Sequence, residues 1–207
     1  TLESRGLGDV YKRQVHSNNG LLSTVAYQKD GDKPQYAIEG SVSIAGAAVQ
    51  WLRDNLNIIK ESSDVEALAM AEKDNGDVYF VPAFSGLFSP HWDETARGVL
   101  VGLSRFSNKS HIARAVLESV AYQSNELLES MEKDIGITFE SVNVDGGMVV
   151  NNLLMQFQSD IFNKKVISQE INEITALGAG AASFLFINNL PLETVSYTHL
   201  TLPTMQV

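Results

Sequence analysis

The sequence predicts an α/β fold: a mixed sheet with helices on both faces. Three observations point there. Short apolar runs alternate with longer amphipathic stretches in the second half of the chain, which implies parallel strands joined by right-handed helical crossovers. Two consecutive strand-like segments near the start are separated by Lys29-Asp30-Gly31-Asp32-Lys33, the signature of a hairpin with a longer loop. The run at 78–84 is short and apolar, and 142–145 is a short segment ending in Gly146-Gly147; both read as buried strands.

The elements follow in order. Residues 21–28 and 36–39 read as the two hairpin strands. Residues 43–56 form a helix whose apolar face is Ile44, Ala48, Trp51, Leu52 and Leu56. A second, Ala-rich helix covers 64–73, with Ser62 or Ser63 as its N-cap, and Asn75-Gly76 ends it. Strands at 78–84 and 98–103 flank a Gly, Ser and Pro-rich loop at 85–94. A long helix spans 110–133 with Ile112, Val116, Ser119, Val120, Gln123, Leu127 and Met131 along one side. The strand at 142–145 runs into Gly146-Gly147. A helix at 151–162, a strand at 165–169 and a helix at 175–187 complete the series.

Composition narrows the function classes. With 207 residues, 44% hydrophobic and 19% charged, the chain has the profile of one well-packed domain. A net charge of −10 repels nucleic-acid phosphates and acidic membranes, so no nucleic-acid or membrane partner is expected. A nucleotide is compatible with that charge, because backbone N–H groups and helix N-termini hold phosphate without Lys or Arg. No run of 18 apolar residues occurs. The absence of cysteine excludes disulfides, thiolate zinc sites and cysteine nucleophiles, and suits a cytoplasmic location. There is no Gly-x-Ser-x-Gly elbow, no His-Glu-x-x-His and no Gly-x-x-x-x-Gly-Lys-Ser/Thr loop. The two ends, 1–14 and 195–207, lack periodicity. GLGDVYKRQ and SYTHLTLPT are similar to adaptor-derived peptides, so both ends are expected to be non-native and the domain to span 15–194.

Four local features bear on chemistry. At Asp145-Gly146-Gly147 with Asn151, a strand ends in a carboxylate, two glycines turn the chain and a helix begins. The turn suits a phosphate or ribose, and equally it is an ordinary strand-to-helix connection. Gly178-Ala179-Gly180-Ala181-Ala182 lies inside a helix with Ser183 where a dinucleotide fingerprint needs glycine, so pattern alone favours close packing. Gly46 and Gln50 lie four apart on one helix face. By pattern Gln50 is solvated, or else it reaches a ligand. In Pro90-His91-Trp92-Asp93 with Arg97, the four-residue spacing suggests a structural Asp93–Arg97 ion pair. No second His or Cys supports a metal there.

Taken together, five stretches resemble the glycerol kinases of the sugar-kinase family, which have the actin-like ATPase (ribonuclease H-like) fold. They are 39–54 (EGSVSIAGAAVQWLRD), 81–102 (VPAFSGLFSPHWDETARGVLVG), 117–123 (LESVAYQ), 144–160 (VDGGMVVNNLLMQFQSD) and 175–182 (TALGAGAA). The Trp92-Asp93 loop and Met155-Gln156-Phe157-Gln158 favour glycerol kinases over xylulose or gluconate kinases, which remain the alternative together with a non-kinase actin-like ATPase. Phe88 and His91 depart from the Gly and Tyr that many relatives carry.

The resemblance implies a two-domain enzyme of which this chain matches the C-terminal half, with a five-stranded mixed sheet. It implies nucleotide contacts at Gly46, Gln50, Gly147 and Asn151, supported by Asp145, Gly146 and Gly178, with ATP and Mg²⁺ as cofactors. The expected reaction is transfer of the γ-phosphoryl group to glycerol, giving glycerol 3-phosphate. The resemblance places the catalytic base, the glycerol grip and the phosphate loops outside the matched segments, so no catalytic or metal-ligating residue is assigned and the isolated chain is expected to be inactive. A cytoplasmic homo-oligomer is the implied whole.

Overall fold

A computed structural model describes residues 17–28, 31–168, 173–188, 190 and 204–206. The expected hairpin forms: β1 (Leu22–Tyr27) pairs antiparallel with β2 (Gln35–Glu39). Helices α1 (Gly46–Asp54) and α2 (Asp64–Ala69) follow. Then come β3 (Tyr79–Val81) and β4 (Val99–Val101), an antiparallel pair with Phe80 opposite Leu100. Helix α3 (Lys109–Ile135) leads to β5 (Ser141–Asp145), a short 3₁₀ turn (Gly147–Val150) and α4 (Asn152–Phe162). Strand β6 (Lys165–Ser168) and helix α5 (Ile174–Ile187) come next, and β7 (Thr204–Gln206) ends the described chain. The unit β5–α4–β6 is the parallel crossover that the alternation predicts.

Helix α3 organises the rest. Its 27 residues span roughly 40 Å. Asn108 caps it by accepting from the backbone N–H groups of Ser110 and His111, while His111 Nδ1 accepts from the Asn108 backbone N–H. Successive turns of α3 enter successive parts of the core. Ala113, Val116 and Leu117 join Leu52, Val65, Val78 and Phe80. Val120 and Ala121 meet Leu154 of α4. Leu128 packs with Val142, Val144 and Phe162. Trp51 stacks on Phe80 at 5.4 Å between ring centres and fixes α1 against β3.

The expected single five-stranded sheet is not formed among the described residues. The strands divide into β1–β2, β3–β4 and a parallel β6–β5–β7 sheet. A cleft of about 600 Å³ lies between the hairpin and β5, lined by Thr24 and Val25 of β1, Leu127 and Met131 of α3, and Ser141 and Val142 of β5. The segments 1–14 and 195–207, read as tails from the sequence, lie outside the described residues apart from 204–206, which pair with Asn143–Asp145. Among the described residues no helix is long and apolar enough to cross a membrane.

Leu52 is fully buried at the meeting of α1, α2 and α3. Leu52→Ala is expected to cost about 2–5 kcal/mol of stability, read from the shift in a urea unfolding midpoint.

Candidate functional site

The turn after β5 is shaped by its glycines. Gly146 has φ +95°, a conformation that side chains resist. It swings the chain from the buried end of β5 into the 3₁₀ turn. A Cβ on Gly147 would meet nothing within 4 Å, so this residue presents open backbone. Asn151 then caps α4: its Oδ1 accepts from Leu154 N–H at 2.9 Å, and the side chain is buried.

Four of the residues expected to contact nucleotide line one cleft of about 600 Å³: Gly46 and Gln50 on α1, Gly147 in the turn and Asn151 at the start of α4. Gln50 is exposed, and its amide makes no hydrogen bond among the described residues. A Cβ at Gly46 would sit 3.6 Å from Met148 Sδ, so any larger side chain there would intrude on the cleft.

The floor and far wall include residues that the sequence did not mark as ligand contacts. Val49, Ser62, Ser63, Glu66, Met148 and Val150 complete the lining. Ser62 and Ser63 read from the sequence as a helix cap. In the structure neither hydroxyl caps α2, and Ser62 Oγ instead accepts from Arg53. Glu66 Oε1 accepts from Leu153 N–H at 2.9 Å, so a carboxylate of α2 closes the N-terminus of α4. The expectation that α4 offers unpaired N–H groups to a phosphate is therefore corrected at Leu153 and Leu154, whose donors are both used within the protein.

The three supporting residues fall differently. Gly146 makes the turn. Asp145 is 3% exposed, and its Oδ1 has no hydrogen-bond partner. Burial holds its carboxyl above the usual carboxylate range, and the charge of Glu173 adds to the effect. Neither Asp145 nor Gly178 lines the cleft. Gly178 lies half-buried on α5, and a Cβ on Gly180 would meet nothing within 4 Å, so the close packing that the small-residue pattern favours is not seen there. The expected Asp93–Arg97 ion pair is not formed. Asp93 Oδ1 accepts from Thr95 N–H, Thr95 Oγ1 and Ala96 N–H, local partners that leave Arg97 to donate to the carbonyls of Glu94 and Ala96. His91 pairs instead with Glu126 at 2.9 Å. Among the described residues no group of three or more His, Asp or Glu could hold a metal ion.

Two outcomes follow from this geometry. Asn151→Ala removes the α4 cap and is expected to cost about 0.5–2 kcal/mol, measured by chemical denaturation. Because burial raises the Asp145 pKa, native Asp145 favours its protonated form. Its stabilising contribution is complete below the unfolded pKa of about 3.9 and is lost as pH rises through the raised native value. Asp145→Asn is therefore expected to gain stability over the wild type at pH 7 and to lose that advantage near pH 3.5, read from paired urea titrations.

Comparison with known proteins supplies the family. Residues 7–184 match the model for the C-terminal domain of the FGGY family of carbohydrate kinases. The glycerol kinase of Brucella anthropi is 60% identical over 176 residues, 85% of this chain and 35% of that protein. The glycerol kinase of Chloroflexus aurantiacus is 58% identical over 174 residues, 84% of this chain and 35% of its own length. The chain thus spans about a third of these curated relatives. Among solved structures, Plasmodium falciparum glycerol kinase with ADP aligns at a TM-score of 0.76 and 40% identity, covering 87% of this chain and 36% of that one. A xylulose kinase from Lactobacillus acidophilus aligns at 0.66 and 23% identity, over 82% of this chain and 34% of its own, and shares the fold. The five motif stretches, the architecture around α3 and the match over 7–184 together make this chain a member of the FGGY family of carbohydrate kinases, carrying that family's C-terminal domain.

Proposed function

We propose that the chain is the nucleotide-binding half of an ATP-dependent glycerol kinase, taken as residues 15–194 with the flanking segments foreign to the domain. One observation carries this reading: residues from α1, the β5 turn and the α4 cap converge on a single cleft. Identity near 60% to glycerol kinases, against 23% to a xylulose kinase, favours glycerol as the acceptor of the whole protein.

The cleft has two chemically distinct ends. Glu66 places negative charge beside the α4 terminus, an unfavourable place for phosphate and a favourable one for the hydroxyl or amine donors of a nucleoside. The open backbone at Gly147 lets phosphates approach closely, as does the absence of a side chain at Gly46. Gln50 supplies an uncommitted amide between them. Magnesium would accompany the nucleotide. Among the described residues no group of three or more His, Asp or Glu could hold the ion, so no residue of this chain is assigned to it.

Phosphoryl transfer needs alignment, charge neutralisation and a carboxylate toward the acceptor hydroxyl. The alignment of the nucleotide is what this half supplies. The base and the glycerol site are assigned to the other half of the enzyme. The finer fold reading, a five-stranded mixed sheet with helices on both faces, would follow if an extended segment bridged β1 and β5 across the cleft between them. The reading includes a cytoplasmic protein that associates with a second copy.

Calorimetric titration of the purified 207-residue chain with MgADP is the test. Binding is expected, and Gly147→Val is expected to weaken it more than about tenfold by placing a side chain in the cleft. Circular dichroism should stay unchanged. Equal affinity in the variant would overturn the site. With glycerol and MgATP the same chain is expected to show no turnover, and substantial turnover would refute the division of labour between the halves.

A further inference from the structure

One hydroxyl on the wall of the cleft has its acceptor side filled and its donor side open. Ser62 Oγ accepts from an Arg53 guanidinium N–H at 3.1 Å. Its own O–H donates to no described residue. Arg53 is itself held in place. Its Nε–H and a second N–H reach the two carboxylate oxygens of Asp54 at 2.7 and 2.9 Å, a bidentate pair that fixes the guanidinium plane. A guanidinium has donors only, so the Ser62 oxygen serves as acceptor toward it and the hydroxyl proton turns away.

Four residues on, Glu66 lines the same cleft with the opposite polarity. Its Oε1 is engaged with Leu153 N–H, and its Oε2 accepts from no described residue. The wall therefore offers one donor and one acceptor. Val49, Met148 and Val150 line the cleft with them, apolar groups suited to the faces of a flat ring. A phosphate brings acceptors alone and would meet Glu66 unfavourably. The edge of a 6-aminopurine brings both partners, a ring nitrogen that accepts beside an exocyclic amine that donates.

We propose that Ser62 and Glu66 are specificity-determining residues of the nucleotide cleft. Ser62 donates to a ring nitrogen of the base, and Glu66 Oε2 accepts from its exocyclic amine. Arg53, braced by Asp54, is a positioning residue that sets which way the Ser62 hydroxyl points. The proposal rests on the nucleotide reading above and adds to it the end of the cleft that holds the base. A base with a carbonyl in place of the amine sets its oxygen against the Glu66 carboxylate, so the site favours adenine over hypoxanthine.

Calorimetric titrations of the 207-residue chain with MgADP and with MgIDP test this, with circular dichroism as the check on folding. The wild type is expected to bind ADP about tenfold more tightly than IDP. Ser62→Ala is expected to weaken ADP about three- to tenfold, and Ser62→Thr, which keeps the hydroxyl, to restore most of the loss. Glu66→Gln still accepts from Leu153 but can offer an amide N–H to a carbonyl, so the ratio of ADP to IDP affinity is expected to fall toward one. Arg53→Met is expected to weaken ADP, and the double variant S62A/R53M to bind no more weakly than S62A. Wild-type ADP affinity in S62A, or a threonine variant as weak as the alanine one, overturns the role of Ser62. An unchanged ADP to IDP ratio in E66Q overturns that of Glu66. Additive losses in the double variant overturn the positioning role of Arg53. A wild type that binds no MgADP overturns the nucleotide reading and this one with it, whereas binding that is lost in G147V and untouched in S62A and E66Q overturns this inference alone.

Discussion

The burial of α3 is the constraint on which the other elements depend. One 27-residue helix contributes to three contiguous apolar clusters and touches α1, α2, α4 and β3. The strands, by contrast, are short, and a three-residue pair such as β3–β4 has little independent stability. They hold their places because α3 supplies a surface to pack against. Its ends are fixed accordingly, by the reciprocal Asn108–His111 cap at one and by Gly136 in the left-handed conformation at the other.

The cleft inherits its shape from this arrangement. Its walls come from α1, from the turn after β5 and from the start of α4. These three segments are distant in sequence but all seated on α3 or on strands beside it. The helix register of α1 sends Ala48 and Leu52 into the core and leaves Gly46 and Gln50 on the open side. Core packing and the open cleft thus lie on two faces of one helix. Gln50, which faces the cleft, is free to be polar because Ala48 and Leu52, two positions to either side and on the opposite face, bury the helix.

Much of this was legible in the sequence, for identifiable reasons. The helices and strands at 21–187, the 3₁₀ turn apart, were announced by period and punctuation, and α3 most plainly because its stripe from Ile112 to Met131 repeats over more than five turns. Gly146-Gly147 marked the turn, and Gly146 at φ +95° holds a backbone conformation that favours glycine. What pattern could not reveal was partnership across distance. Glu66 reads as one more surface carboxylate on an Ala-rich helix, and nothing local ties it to Leu153, 87 residues away. The division into three sheets was equally hidden, because pairing between strands depends on what lies between them. Asp93 and Arg97 had the spacing for an ion pair, but the Asx-type turn at Thr95 and Ala96 satisfied the carboxylate first.

The Glu66–Leu153 hydrogen bond does more than close a helix end. It ties one wall of the cleft to another, because Glu66 belongs to α2 and Leu153 to α4. Spreading those walls would strand a carboxylate and a backbone donor together, so the cleft keeps its width in the absence of any occupant. A ligand entering it meets a preorganised surface and loses little free energy to ordering protein groups. Among the lining side chains the exposed Gln50 amide makes no hydrogen bond to the described residues, and so can turn to meet whatever the walls admit.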